Sequence, residues 1–239
     1  MNVVRSTFFS IGYFLSGIFY GTASLLFWLL PRLTRHRLII SWTYFGIFWL
    51  RLTCGIRHEL HDKENLDTVA GPIIVLAKHQ STWETLYLQG LLFPAVTVLK
   101  KELLNIPFFG WGLRALLPIA IDRTNPRDAL KQVREKGLQR LRQGYNLVLF
   151  PEGTRSAPGE RKKYARGGAE IAVHSGVPII PVALNSGHFW RRGKFAKRAG
   201  TIQVYIGEPI YPNGKNSREL IAEVEAWIEA KVLEIEASM

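Results

Sequence analysis

Apolar and polar positions follow two different patterns along this chain, and the change falls near residue 60. From Ser6 to Pro31, 26 residues pass without a charged side chain, bracketed by Arg5 and Arg32. As a helix that stretch would be roughly 39 Å long at ~1.5 Å per residue, more than a hydrocarbon core of about 30 Å. It has neither the short apolar region nor the A-x-A-like cleavage site of a signal peptide. A second apolar run, Leu38 to Leu50, is aromatic-rich and 13 residues long, which predicts an interfacial or re-entrant helix rather than a full span. Residues 1–60 are therefore expected to form N-terminal membrane-anchoring helices.

From about Leu66 onward, short apolar runs alternate with helical periodicity. Strands are expected at Pro72–Ala77, Ala95–Leu99, Pro118–Ile121, Asn146–Phe150, Ile179–Leu184 and Thr201–Ile206. Between the third and fourth, Leu130, Val133, Leu138 and Leu141 share one face of a helix over about Arg127–Arg142, ended by Gly144. Further helices are expected over Gly168–His174, stopped by Gly176, and over Ser217–Ala237. Strands alternating with helices predict an α/β domain over residues 61–239, with a mostly parallel central sheet flanked by helices. The run Val177-Pro178-Ile179-Ile180-Pro181-Val182 carries two prolines, so an edge or strand-entry position is expected for it.

Composition narrows the partners. A formal net charge of +12, from 31 basic and 19 acidic residues, favours an anionic partner: nucleic acid, anionic lipid or a phosphorylated substrate. The aromatic residues concentrate in the apolar N-terminal segment rather than interleaving with the Lys/Arg runs, which argues against nucleic acid. Arg32, Arg35, His36, Arg37, Arg51 and Arg57 flank the apolar runs and suit anionic headgroups on the cytoplasmic side. A single cysteine, Cys54, excludes an intramolecular disulfide.

Three polar segments follow apolar strands directly. In Lys78-His79-Gln80-Ser81-Thr82-Trp83-Glu84, a histidine ends a strand and a carboxylate follows five residues later, the arrangement of a general base with its orienting partner. The structural alternatives are a satisfied core histidine and, since Ser81 to Glu84 has capping-box spacing, a helix cap. Arg123 follows the strand ending at Ile121, so it is expected at the sheet's C-terminal end, where α/β folds bind ligands; a surface cation paired with Asp122 is the alternative. Phe150-Pro151-Glu152-Gly153-Thr154-Arg155 again ends a strand in a polar turn, with a glycine for close approach and an arginine suited to phosphate. Gly110-Trp111-Gly112-Leu113-Arg114-Ala115 matches a dinucleotide pattern, but no apolar strand leads into it. His58-x-x-His61 has no further ligand set, so no metal is expected.

The ordered set His79…Glu84, Arg123, Glu152-Gly153-Thr154-Arg155 and Val177–Val182 resembles the glycerophospholipid acyltransferase family, most closely its bacterial lysophosphatidate acyltransferases. The resemblance spans about residues 72–185. Glu84 stands where the family usually has aspartate. The resemblance implies that His79 deprotonates an acceptor hydroxyl, which attacks an acyl thioester carried by coenzyme A or acyl carrier protein, with Glu84 orienting His79. It implies that Arg155, helped by Arg123, Glu152, Gly153 and Thr154, holds the acceptor's phosphate, with Lys100 or Lys101 assisting. No cofactor beyond the thioester co-substrate is implied. The implied partners are the bilayer, a lysophospholipid acceptor and the acyl donor, and the implied place is a bacterial inner membrane with the catalytic domain cytoplasmic. A different lyso-lipid acceptor, or a non-catalytic scaffold of the same fold, are the competing readings.

Overall fold

The computed structural model describes residues 1–122 and 124–239. The first 54 residues form a helical hairpin of α1 (Asn2–Phe27) and α2 (Arg32–Cys54). Pro31 separates them: it has no N–H to continue α1, and its extended conformation (φ −53°, ψ 146°) caps the start of α2. Cross-links fix an antiparallel pairing. Trp49 Nε1 donates to the Phe9 carbonyl (3.2 Å), Trp42 Nε1 to Ser16 Oγ (3.0 Å) and Ser41 Oγ to Tyr20 Oη (3.0 Å).

α2 is 23 residues long, against the 13 expected from its apolar run. The apolar run was the wrong guide. Its buried positions, Arg35, His36, Ile39, Ile40, Thr43, Gly46, Leu50 and Cys54, recur at three- and four-residue spacing, so a packed face stabilises the helix beyond the run's ends. Arg35 keeps its guanidinium 4.1 Å over the Trp28 ring. α1 is long and apolar enough to cross a membrane. Its large side chains Phe8, Ile11, Phe14, Leu15 and Phe19 face outward, and at the hairpin turn Leu29 is 87% exposed.

Among the described residues seven strands form one sheet: β1 (Ile56–His61), β2 (Ile74–Ala77), β3 (Ala95–Lys100), β4 (Ile119–Ile121), β5 (Asn146–Leu149), β6 (Ile179–Leu184) and β7 (Gly200–Ile206), in the order β1-β7-β6-β2-β5-β3-β4. Every neighbouring pair is parallel except β6–β7. The six expected strands are present within two residues of their expected ends. β1 was not expected, because an edge strand reading Arg57-His58-Glu59-Leu60-His61 is exposed and polar and shows no apolar alternation. It begins immediately after α2, so the sheet starts within the first 60 residues.

Of the two prolines Pro178 stands at strand entry, as expected, immediately before β6, while Pro181 lies inside it. The strand lies between β7 and β2, not at an edge. Pro181 is tolerated there because the β6–β7 ladder is interrupted beside it: pairing runs Val182↔Ile206 and resumes at Ile179↔Ile210, with one more residue on the β7 side. The Pro181 carbonyl still accepts from Gly207 N at 2.8 Å, so only the missing N–H goes unused.

Alternation along β2 sends Ile74 and Leu76 to one core and Val75 and Ala77 to the other. The first core is covered by α5 (Pro126–Arg142), α6 (Gly167–Ser175) and α7 (Ser217–Ala237); the second by the hairpin and α3 (Trp83–Leu91). α7 starts at a reciprocal capping box, Asn216 with Glu219, and buries Leu220, Ile221, Val224, Ile228, Val232 and Ile235. Each such side chain contributes about 1.5–3 kcal/mol on transfer from water. β2 and β5 are adjacent and parallel, so the loops leaving Ala77 and Leu149 emerge side by side at the sheet's C-terminal edge.

The hairpin is built against the domain at close range. A Cβ on Gly21 of α1 would lie within 2.4 Å of the Phe108 carbonyl oxygen, at the start of α4 (Phe109–Ala115). Gly21→Ala is expected to force α1 from α4 and to lower stability by about 1–3 kcal/mol. Thermal unfolding of the detergent-purified protein measures this, and an unshifted transition would refute the tight α1–α4 contact.

Candidate active site

His79 follows the last rung of β2, where Lys78 N donates to the Val182 carbonyl at 2.9 Å. Its own backbone is held on both sides by the turn after β5. His79 N–H donates to Glu152 Oε2 (2.6 Å), and the His79 carbonyl accepts from Ser156 N (2.8 Å) and Ser156 Oγ (3.1 Å). The ring stacks on Phe150 with centroids 4.2 Å apart. Nδ1 lies 2.9 Å from Glu84 Oε1; an ionised carboxylate only accepts, so Nδ1 carries the proton and Nε2 is left with its lone pair free. The side chain is 13% exposed, and it lines the main cavity.

Glu84 is fully buried in the first turn of α3, and every donor around it is accounted for. Oε1 also accepts from Gln80 N (2.7 Å) and Ser81 N (2.6 Å), and Oε2 from Ser81 Oγ and Ser186 Oγ (both 2.6 Å). Burial pushes this carboxyl up. The hydrogen bond and charge of His79, with the Ser186 and Ser81 hydroxyls, outweigh burial and hold it below the ordinary carboxylate range. Glu84 thus ties the His79 ring to the backbone of the loop that leads into α3, whose N-cap is Thr82 with no side-chain cap hydrogen bond. Gln80 adds a tie to the turn after β6, its Oε1 accepting from Gly187 N at 3.0 Å.

In the second loop the four motif residues part company. Gly153 takes a left-handed conformation (φ 69°), which turns the chain sharply. Glu152 points inward and spends both oxygens on protein groups, Oε2 on the His79 amide and Oε1 at 3.0 Å from Lys78 Nζ. Thr154 Oγ1 and the Arg155 carbonyl accept from Arg192 Nη1 at 3.1 and 3.0 Å. The Arg155 carbonyl also accepts from Lys162 Nζ at 3.0 Å. The Arg155 side chain lines the cavity and has no carboxylate partner among the described residues. Lys100 sits at the cavity rim, half-exposed and 3.2 Å from Glu102, and Lys101 is turned to Asp122 at 3.2 Å. Arg123 lies outside the described residues. His58 and His61 face different neighbours, Tyr87 and Tyr205 respectively.

The cavity has a volume of about 740 Å³, and His79 is among its lining residues together with apolar side chains from two parts of the fold. One set is Tyr13 and Tyr20 of α1, Trp42 of α2 and Phe109 of α4; the other is Leu76, Leu149 and Val133 between sheet and α5. None of the walls from the hairpin or α4 was legible in the sequence, since they are brought together only by packing.

Sequence reasoning also passed over Lys78, Ser156, Tyr164, Ser186, Arg192 and Glu229. Lys78 carried a signal, a charge closing an otherwise apolar strand. It is 1% exposed, 2.8 Å from Glu229 Oε1, and Tyr164 Oη donates to the same oxygen at 2.8 Å. Burial and the adjacent Glu229 charge push the Tyr164 phenol up, keeping it a donor. Glu229 had no signal beyond being one more carboxylate on a charged helix.

The sequence pattern of the family described as Acyltransferase matches residues 57–185, which contain both loops. Over 98% of this chain and 93% of the relative, the sequence is 41% identical to a 1-acyl-sn-glycerol-3-phosphate acyltransferase of Pseudomonas aeruginosa. A yeast (Saccharomyces cerevisiae) protein of the same name is 30% identical over 70% of this chain and 55% of its own length. The crystal structure of the 1-acyl-sn-glycerophosphate (LPA) acyltransferase PlsC from Thermotoga maritima superposes with a TM-score of 0.81 at 26% identity, covering 99% of this chain and 96% of that one. A pattern that spans both loops, and a relative matched almost end to end, mean that this chain belongs to the acyltransferase family and is an acyltransferase.

Proposed function

We propose that this enzyme transfers a fatty acyl group from an acyl thioester to the free hydroxyl of lysophosphatidate, forming phosphatidate. One observation carries the reading: His79, paired through Nδ1 with Glu84, lines the same cavity as Arg155, which has no carboxylate partner among the described residues. The acceptor hydroxyl gives its proton to Nε2 as its oxygen attacks the thioester carbonyl carbon. Glu84 stabilises the imidazolium that forms. The tetrahedral oxyanion then collapses, the carbon–sulfur bond breaks, and the leaving sulfur takes the proton from His79. The acyl group passes directly to the acceptor, so no covalent acyl-enzyme is required. Arg155 suits the acceptor's phosphate because its planar fork matches phosphate oxygens and, among the described residues, no carboxylate pairs with it.

The apolar outer face of α1 and the exposed hairpin turn support seating at a bilayer, where the acceptor resides. Because α1 and α2 also wall the cavity, a lipid tail can pass from the membrane towards His79 without crossing water. The arginines flanking the hairpin and the overall charge of +12 favour an anionic, cytoplasmic membrane face. They equally favour an anionic thioester carrier, coenzyme A or acyl carrier protein.

Acyl transfer by detergent-purified protein, with labelled acyl-CoA and a panel of lyso-lipids, tests the reading; transfer only to a different lyso-lipid would move the acceptor. His79→Ala is expected to lower kcat by about a hundred- to ten-thousand-fold, and retained turnover would remove His79 as base. Arg155→Ala is expected to raise KM for lysophosphatidate on the order of 10- to 100-fold, the loss of a charge-assisted hydrogen bond, and an unchanged KM would remove it from the phosphate. Glu84→Gln places an amide donor among groups that donate, and is expected to lower kcat by about a hundredfold or more; full activity would reduce Glu84 to a tie within the loop.

A further inference from the structure

Beneath His79 lies a charged cluster that the reaction scheme does not use. Lys78 Nζ, 1% exposed, is 3.0 Å from Glu152 Oε1, 2.8 Å from Glu229 Oε1 and 3.3 Å from the Glu160 carbonyl. Tyr164 Oη donates to Glu229 Oε1 at 2.8 Å. An ammonium removed from water requires anions, and a buried carboxylate requires a cation or donors. Here the two needs are met across three parts of the chain: Lys78 at the end of β2, Glu152 in the turn after β5, and Glu229 on α7.

Glu152 is the link to the chemistry. Oε1 faces Lys78 while Oε2 accepts the His79 amide proton at 2.6 Å, so the position of the ammonium sets the tilt of the carboxylate that grips the catalytic residue. Glu229 holds Lys78 from the opposite side. Without it the ammonium has one anion, Glu152, and swings towards it. That movement displaces the carboxylate and, with it, the His79 backbone.

We propose that Glu229 is a positioning residue for acyl transfer, acting through Lys78 and Glu152 to hold the His79 backbone in register with the cavity. It lies on the C-terminal helix, outside the residues 57–185 matched by the family pattern. The C-terminal helix therefore does more than cover the sheet: it closes the electrostatics of the catalytic loop. Misplacing a catalytic group by about 1 Å can cost on the order of a hundredfold in rate, whereas among the described residues no member of this cluster pairs with the Arg155 guanidinium.

This inference rests on His79 as the base, and the wild-type assay with His79→Ala separates the two: an inactive wild type defeats the function, not the positioning role alone. With active wild type, Glu229→Gln is expected to lower kcat about 10- to 100-fold while KM for lysophosphatidate stays within about twofold. Its folding is confirmed by circular dichroism and gel filtration. Glu229→Asp, which keeps the charge, is expected to recover most of the lost kcat. A folded Glu229→Gln enzyme with wild-type kcat, or one whose loss lies in KM, overturns the proposal, as does a Glu229→Asp enzyme no better than Glu229→Gln. Should Glu229→Gln not fold, Tyr164→Phe removes only the hydroxyl that steadies Glu229; a severalfold fall in kcat at constant KM supports the role, and unchanged kcat overturns it.

Discussion

The ammonium of Lys78, taken out of water at the end of a central strand, is the constraint on which the catalytic centre depends. A buried cation is tolerable only with anions at contact distance, and Glu152 and Glu229 supply them at 3.0 and 2.8 Å. Satisfying that ion draws the turn after β5 against the loop after β2 and brings α7 down on both. Glu152 then grips the His79 amide, Ser156 grips the His79 carbonyl, and the ring is left to pair with Glu84 on one side and the cavity on the other. Reactivity at one imidazole nitrogen is therefore fixed by a backbone clamp as much as by its carboxylate partner.

The hairpin joins membrane seating to chemistry. Its outer face is apolar and exposed, while its inner face packs on α3 and α4 and contributes Tyr13, Tyr20 and Trp42 to the cavity. An anchor connected by a flexible tether would leave the site to meet its lipid by diffusion. Here the same two helices make an exposed apolar surface and a wall of the site, and glycines such as Gly21 permit the close approach this requires.

The contact between His79 and Glu84 and much of the sheet were legible in the sequence, for definite reasons. Strands end at polar turns, so His79 and Arg155 could be placed at the C-terminal edge, and the five-residue interval to Glu84 brings that carboxylate back within reach of the imidazole in the first turn of a helix. α7 was readable from its periodicity, over the span it occupies. By contrast, Glu152 and Arg155 are three residues apart in one motif and face opposite ways, one into the ionic cluster and one into the cavity. Spacing cannot distinguish them, since a left-handed glycine between them reverses the chain. β1 was hidden because an exposed edge strand need not alternate, and Pro181 misled because its missing donor falls at a local break in the ladder that only the pairing reveals.

What the sequence by itself determined are the features with a local cause: strand and helix periods, the polar turns that follow β2 and β5, the hydrogen-bonding reach of Glu84 to His79, and the apolar length of α1. The tertiary structure alone decided which charges become partners and which remain free. Lys78 meets Glu229 across 151 residues, Ser186 reaches Glu84 across 102, and among the described residues Arg155 has no carboxylate partner. Electrostatic partners are chosen by distance in space and by exclusion of water, and neither quantity is carried by order along the chain.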